Sequence, residues 1–313
     1  MDRRIKFRHL EAFVSIARAR RLKRAAEQLN LTQPAISKTL RDLEHILEVT
    51  LMERDRAGVR LTPEGHVFLQ YAEQSTAALQ QGISSIATLS EAGGAVLKIG
   101  ALPSVSAQVL PTAIERFRQV SPNTILHIEE GGHGLLTDRL RSGDLDLVIG
   151  RLGTTDTMRG LSFTALYNER VVAIVAPDHP ARDATQLSQI ENELVIYPPE
   201  TSAIRPLMAR LMLSRGLPLF GDRIECVSGA FGRAMTLGPL RPVWFISRGV
   251  VADDLNAGRL VAMDIDMGPT DGAVGIMARS EENPSPLIEL FSSAASQDAV
   301  APPRNSLVTG LLR

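Results

Sequence analysis

The stretch Arg24-Ala25-Ala26-Glu27-Gln28-Leu29-Asn30-Leu31-Thr32-Gln33-Pro34-Ala35-Ile36-Ser37-Lys38 constrains this chain more than any other. Leu22, Ala25, Ala26 and Leu29 recur at steps of three and four, which places them on one side of a short helix, and two alanines there let a second helix approach closely. Asn30 tolerates the left-handed backbone that a tight turn needs. Thr32 stands where an N-cap oxygen is wanted, and Pro34 falls in the first turn, where a missing N–H costs nothing. A second helix therefore starts near Gln33. Its apolar stripe is Ile36, Leu40, Leu43 and Leu47, which leaves Gln33, Pro34, Ser37, Lys38 and Arg41 together on the outside.

That outer face is short, polar and cationic. Gln matches adenine edges, Lys and Arg match guanine or phosphate, and the positive end of a helix favours phosphate. The arrangement is a helix-turn-helix and points to DNA; the competing reading is a helical hairpin whose polar side is merely solvated. Met52–Thr62 follows as two short strands around a Gly turn, with Arg54, Arg56 and Arg60 near the tip of what would be a wing. Residues 1–60 carry fourteen Lys+Arg against eight Asp+Glu, so the head is basic although the whole chain has a net charge of -1. Such local asymmetry suits a DNA-binding head on a soluble, acidic body. Lys23, Arg24, Thr32, Gln33, Pro34, Ser37, Lys38, Arg41, Arg54, Arg56 and Arg60 are the candidate DNA contacts.

These residues also resemble a known family, the LysR-type transcriptional regulators. The likeness runs through Phe7-Arg8-His9-Leu10, Arg24-Ala25-Ala26, Thr32-Gln33-Pro34-Ala35-Ile36-Ser37, Leu43-Glu44 and Leu61-Thr62-Pro63-Glu64-Gly65. It implies an α/β protein with an N-terminal winged helix-turn-helix, a long linker helix, and a two-lobed effector domain similar to a periplasmic solute-binding protein. Arg21 and Lys23 stand where the family has Ser and Thr, Glu48 where it has Gly, and Met52 where it has an aromatic residue.

Residues 66–90 lack Pro, and Phe68, Ala72, Ser75, Leu79, Ile83 and Ile86 recur at helical spacing. The seam fits either packing on its own domain or, better, a second copy of the chain. A two-fold dimer would bind an imperfect inverted repeat in double-stranded DNA. The expected division is 1–65 for the DNA-binding domain, 66–92 for the linker and dimerisation helix, and 93–313 for the effector domain. Lobe I would take about 95–165 and 270–300, and lobe II about 166–268.

Beyond Gly93-Gly94 apolar runs alternate with helical segments. Candidate strands are Val96–Ala101, Ile125–Glu130, Leu145–Ile149, Val171–Ala176, Leu194–Tyr197, Arg223–Val227, Val243–Ile246 and Ala273–Ala278. Ligands of open α/β sheets bind beyond the carboxyl ends of strands, near helix N-termini. Three corners qualify: Pro103-Ser104-Val105-Ser106, Gly131-Gly132-His133-Gly134, and Pro198-Pro199-Glu200-Thr201-Ser202. Each equally suits plain helix capping; the family resemblance favours effector contact at Ser104 and Ser202. With Val105, Gly132, His133, Pro198 and Thr201, it extends the candidate effector-binding set to Arg151, Val227, Ser228 and Phe231.

A further likeness, through Arg4-Ile5-Lys6-Phe7, Gly100-Ala101-Leu102-Pro103, Gly143-Asp144-Leu145-Asp146 and Leu240-Arg241-Pro242-Val243-Trp244-Phe245, is to the branch of the family that activates protocatechuate degradation. It implies a small anionic inducer, a carboxymuconate or protocatechuate. A family member answering to a sugar, or an architectural DNA binder without ligand, are the alternatives. Family habit further implies tetramers and contact with RNA polymerase.

Catalytic motifs are lacking: no G-x-G-x-x-G, Walker lysine or G-x-S-x-G occurs, and the six histidines show no metal-ligand spacing. No catalytic residue, metal or cofactor is expected. Cys226 stands alone on an expected strand, buried and inert, which fits a reducing cytoplasm. The charged start leads into no apolar run, so a cytoplasmic protein without membrane contact is expected. The tail around Ala301-Pro302-Pro303 shows no pattern.

Overall fold

A computed structural model describes residues 4–55, 58–90, 95–155, 157–280 and 284–299. The chain divides into two compact units, Met1–Gly93 with Arg141–Asp144, and Gly94–Leu140 with Leu145–Arg313. Arg56, the 91–94 segment and the tail after Ala299 lie outside the described residues.

The first unit opens with helices α1 (Phe7–Ala19), α2 (Leu22–Gln28) and α3 (Gln33–Leu47). Phe13, Ile16, Ala25, Ala26, Ile36, Leu40 and Leu43 form its buried core, so the alanines of α2 do provide the close approach. Local chemistry sets the turns. Asn30 adopts φ 53, and Thr32 Oγ1 accepts from the Ala35 amide at 3.4 Å, a cap that typically contributes about 1 kcal/mol. Strands β1 (Met52–Asp55) and β2 (Gly58–Leu61) pair antiparallel as the wing. Glu44 Oε1 anchors the wing to α3 by accepting from the amides of Leu51 (2.9 Å) and Met52 (3.1 Å). Gly58 sits at φ +141, and a Cβ there would lie 2.4 Å from the Arg20 carbonyl oxygen, so only glycine closes this turn.

Helix α4 spans Pro63–Ser90, capped by Thr62, whose Oγ1 accepts from the Gly65 amide at 3.0 Å. Its seam divides in two. Phe68 meets Phe13 edge-on at 5.2 Å and Ala72 is buried, so the early seam packs on its own head rather than on a second chain. Leu79 and Ile83 remain 45% and 54% exposed. The Ile86 side chain lies outside the described residues.

The second unit holds two five-stranded sheets. The first has the order β4-β3-β5-β12-β6, from Val96–Ala101 (β3), Ile125–Glu130 (β4), Leu147–Arg151 (β5), Leu161–Glu169 (β6) and Gly272–Arg279 (β12). The second runs β11-β7-β10-β8-β9, from Val171–Val175 (β7), Val195–Tyr197 (β8), Arg223–Glu225 (β9), Val243–Ser247 (β10) and Val261–Ala262 (β11). In each, three parallel strands lie together on one side (β4-β3-β5 and β10-β8-β9), and the strand beside them, β12 or β7, runs antiparallel to both its neighbours. Helices α5 (Pro103–Val120), α6 (His133–Arg141) and α10 (Pro286–Ala299) accompany the first sheet; α7 (Arg205–Ser214), α8 (Gly229–Thr236) and α9 (Ala252–Asn256) accompany the second. Trp244, Tyr197 and Phe245 are fully buried in the second core, and Phe117 meets Phe291 in the first.

Three strand readings need correction, one of them the unexpected β11, which at two residues is too short to show an alternation. β6 falls where the sequence suggested no strand, because this edge strand carries Ser162, Thr164, Asn168 and Glu169 and buries only part of its length. Strand β9 ends at Glu225, so Cys226 lies past it, half-buried, its Sγ accepting from the Ser228 amide at 3.3 Å.

Glu48 ends α3 at φ 56 with an exposed side chain. A left-handed conformation costs a non-glycine residue about 1–2 kcal/mol, and a carboxylate at a helix C-terminus opposes the dipole. Glu48→Gly should therefore stabilise the first unit by about 1 kcal/mol, read as a higher denaturant midpoint; an unchanged or lower midpoint would contradict this turn geometry.

Candidate DNA-reading face and effector corner

In the first unit Gln33, Pro34, Lys38 and Arg41 of α3 are exposed, as are Lys23 and Arg24 on α2, Thr32 at the cap, and Arg54 and Arg60 on the wing. Apolar packing on Ile36, Leu40 and Leu43 fixes which side of α3 faces outward. Ser37 is half-buried, and Arg54 Nη2 donates to its Oγ at 2.9 Å, so here the hydroxyl serves the wing. This bond ties α3 to the wing at the cationic face, beside the Glu44 anchor that sequence reading did not assign. At the N-terminus of α1 the buried His9 accepts from the Lys6 amide through Nδ1 at 3.1 Å. Burial, then the charge of Arg8, lowers its pKa.

The expected effector residues divide into those with committed polar atoms and those at open corners. Ser104 and Arg151 belong to the first kind. Ser104 is buried, and its Oγ donates to Glu169 Oε2 at 2.9 Å. Arg151 is also buried; its Nη1 donates to the Glu169 carbonyl at 2.8 Å, and its Nη2 lies 3.5 Å from Glu169 Oε2 and from Ser247 Oγ. Burial lowers the Arg151 pKa, and the Glu169 charge opposes that shift. The neighbouring Tyr167 is pushed well up by burial and by the same carboxylate. Val105 is buried in the first core.

His133 is likewise buried, its Nε2 3.2 Å from Thr157 Oγ1. A Cβ on Gly153 would lie 2.3 Å from that ring nitrogen, so the glycine makes room for the imidazole. His133 thus packs against Thr157 and Gly153.

Gly132 and Thr201 are exposed and adjacent: a Cβ on Gly132 would stand 3.7 Å from the Thr201 carbonyl oxygen. The Gly131–Gly134 and Pro198–Ser202 corners therefore meet, one from each sheet. Ser202 Oγ accepts from the Ile204 amide at 3.4 Å, and Ser228 Oγ caps α8 by accepting from Phe231 at 3.3 Å. Pro198 is buried, but its carbonyl accepts from Arg205 Nη1 at 2.7 Å, and that guanidinium lies 4.9 Å from the centroid of the Tyr197 ring. Val227 is half-buried and Phe231 is 39% exposed. Helix α8 is held by Asp254, which is 1% exposed and accepts from Arg233 Nε (2.7 Å) and Arg259 Nε (2.8 Å). Burial works to raise the Asp254 pKa, yet the two guanidiniums outweigh it and hold the carboxyl below its ordinary value. Cavities of about 260 Å³ beneath α10 and about 490 Å³ beside Arg170 and Arg248 lie away from this corner. Among the described residues, no group of three or more His, Cys, Asp or Glu is placed to hold a metal, and no helix is long and apolar enough to cross a membrane.

Residues 7–66 match the bacterial regulatory helix-turn-helix model of the lysR family, and residues 91–299 match the LysR substrate binding domain. The chain belongs to the LysR family. It is 38% identical to the HTH-type transcriptional regulator PcaQ of Agrobacterium fabrum over 301 residues, 96% of each chain. Against the uncharacterised regulator YdcI of Escherichia coli K12 it is 33% identical, covering 94% of this chain and 95% of that one. A full-length OxyR variant from Pseudomonas aeruginosa shares the fold, with a TM-score of 0.57 and 24% identity over 93% of this chain and 97% of that one. This LysR-type regulator thus pairs a winged helix-turn-helix with an α/β effector domain.

Gln33→Ala should reduce specific operator affinity by about 1–3 kcal/mol. Lys38→Ala should cost less sequence discrimination but lower the salt dependence of binding by about one charge equivalent. Fluorescence anisotropy across a salt series reads both; wild-type affinity in both variants would remove α3 from the interface.

Proposed function

We propose that this LysR-type regulator activates an aromatic-acid catabolic operon when a small carboxylate inducer, of the carboxymuconate or protocatechuate type, binds its effector domain. The observation that carries the reading is the likeness to PcaQ, which extends through both the DNA-binding head and the effector domain. Residues 1–65 read the operator, 66–92 link and dimerise, and 93–313 respond to the inducer. Lys23, Arg24, Thr32, Gln33, Pro34, Lys38, Arg41, Arg54 and Arg60 carry the DNA contacts, and Ser37 acts through Arg54.

Dimerisation uses the exposed Leu79 and Ile83 on α4. Their spacing of four residues gives one apolar stripe, and a paired helix would present two α3 helices to half-sites of an imperfect inverted repeat. Dimers join into tetramers in the cytoplasm and touch RNA polymerase at the promoter. The protein acts by binding, without catalysis.

The inducer binds where the Gly132 and Thr201 corners meet, with Ser202, Pro198, Val227, Ser228 and Phe231 around it. Backbone amides and hydroxyls at helix starts suit carboxylates. Because the corners touch, ligand entry requires the lobes to part, and closure on the ligand selects one lobe angle.

Calorimetric titration of the full chain with protocatechuate, its carboxymuconate cleavage product and a sugar phosphate tests the assignment. Saturable heat with one of the two aromatic-pathway acids, abolished in Ser202→Leu with operator binding intact, is expected. Silence with both acids, with operator binding preserved, would overturn the inducer class; heat with the sugar phosphate alone would replace it by a sugar.

A further inference from the structure

The chain passes between the two sheets of the effector domain twice. Arg170 alone separates β6 from β7, and the Gly268–Thr270 turn with Asp271 leads back into β12. The passages are fastened together: the Val171 amide donates to Thr270 Oγ1 at 3.0 Å, and Arg170 grips both carboxylate oxygens of Asp271 at 3.0 Å each.

Beneath them lies Arg151, at the end of β5. Its Nη1 reaches the carbonyl oxygens of Glu169 (2.8 Å), Thr270 (3.4 Å) and Gly272 (3.5 Å), so one guanidinium addresses both passages. Its Nη2 lies 3.5 Å from both the Glu169 carboxylate and Ser247 Oγ at the end of β10. Glu169 completes the bridge, accepting from Ser104 at the start of α5 and, at 2.9 Å, from the Gly249 amide just after β10. A Cβ on Gly249 would lie 2.6 Å from Glu169 Oε1, so glycine is needed for this approach. Arg151, Glu169, Ser104, Ser247 and Thr270 are all 7% exposed or less.

A buried ion pair is a poor way to gain stability, since desolvation offsets most of the attraction and apolar residues of similar volume often do as well. What it supplies is direction, because a planar guanidinium has fixed donor vectors that a lysine ammonium lacks. Here those vectors end on the backbone that must rotate if one lobe moves against the other.

We propose that Arg151 and Glu169 are positioning residues that pin both passages and thereby set the resting angle between the lobes. The pair is the reference state against which an effector works, and releasing it frees the lobe angle without unfolding either sheet.

The test is a pulsed electron spin resonance distance between labels at Gln119→Cys on α5 and Leu213→Cys on α7, in full-length Cys226→Ser chain diluted with unlabelled protein. Both label sites are exposed and lie on different lobes. A narrow distribution is expected with the native pair. Arg151→Lys, which keeps charge but loses the fork, and the apolar pair Arg151→Met with Glu169→Leu should each broaden or shift it while the melt stays cooperative. Arg170→Ala, which removes only the exposed pair with Asp271, should leave it narrow. Native distributions in both folded pair variants would overturn the proposal. If Arg151→Lys fails to fold, the apolar pair decides alone, and failure of that variant too would make the pair structural and equally overturn it.

Discussion

A guanidinium buried where the chain twice crosses between sheets is the constraint on which the joint between the two lobes depends. At each passage backbone carbonyls lie at or just beyond a strand end, and burial would leave them unsatisfied without a donor nearby. Arg151 supplies that donor from β5, and Glu169 neutralises it while reaching Ser104 and Gly249. The two cores form separately, one around Phe117 and Ile149 and the other around Trp244 and Tyr197, with the Arg151–Glu169 pair at the joint. Corners at Gly132 and Thr201, each on the segment that leads into a helix beyond its own sheet, are adjacent.

The DNA-reading head follows a different logic. Its three helices are short, and their order comes from turn chemistry at Arg20, Asn30 and Glu48, all of which adopt positive φ. Close packing of Ala25 and Ala26 under Ile36 and Leu40 leaves no apolar residue to compete for the outer face of α3. Glu44 and Arg54 bind the wing to that helix, so the cationic elements form one surface. Electrostatic affinity and base readout can therefore come from neighbouring groups.

Much of the architecture was legible because its causes are local. The Thr32 cap, the Asn30 turn and the Ile36 stripe act within a few residues, so α2 and α3 fall where the periodicity puts them. Buried runs such as Val171–Val175 and Val243–Ser247 announce strands for the same reason. What escaped has distant causes. The Arg151 partners lie 18 and 119 residues away, so no local pattern shows them. Glu169 passed unnoticed because it ends a half-exposed edge strand whose alternation is interrupted at Val274/Gly275 of its neighbour. The seam of α4 looked continuous, yet Phe68 and Ala72 found partners within their own unit.

Under the proposed function, paired heads read two half-sites and a small acid changes how they are held. Hydroxyl-radical footprinting of the full chain on its upstream DNA, with and without saturating carboxymuconate, tests it most directly. Two protected half-sites an integral number of helical turns apart, with a protected span that changes when the acid is added, are predicted. Protection without two-fold spacing, or a footprint indifferent to the acid, would contradict it.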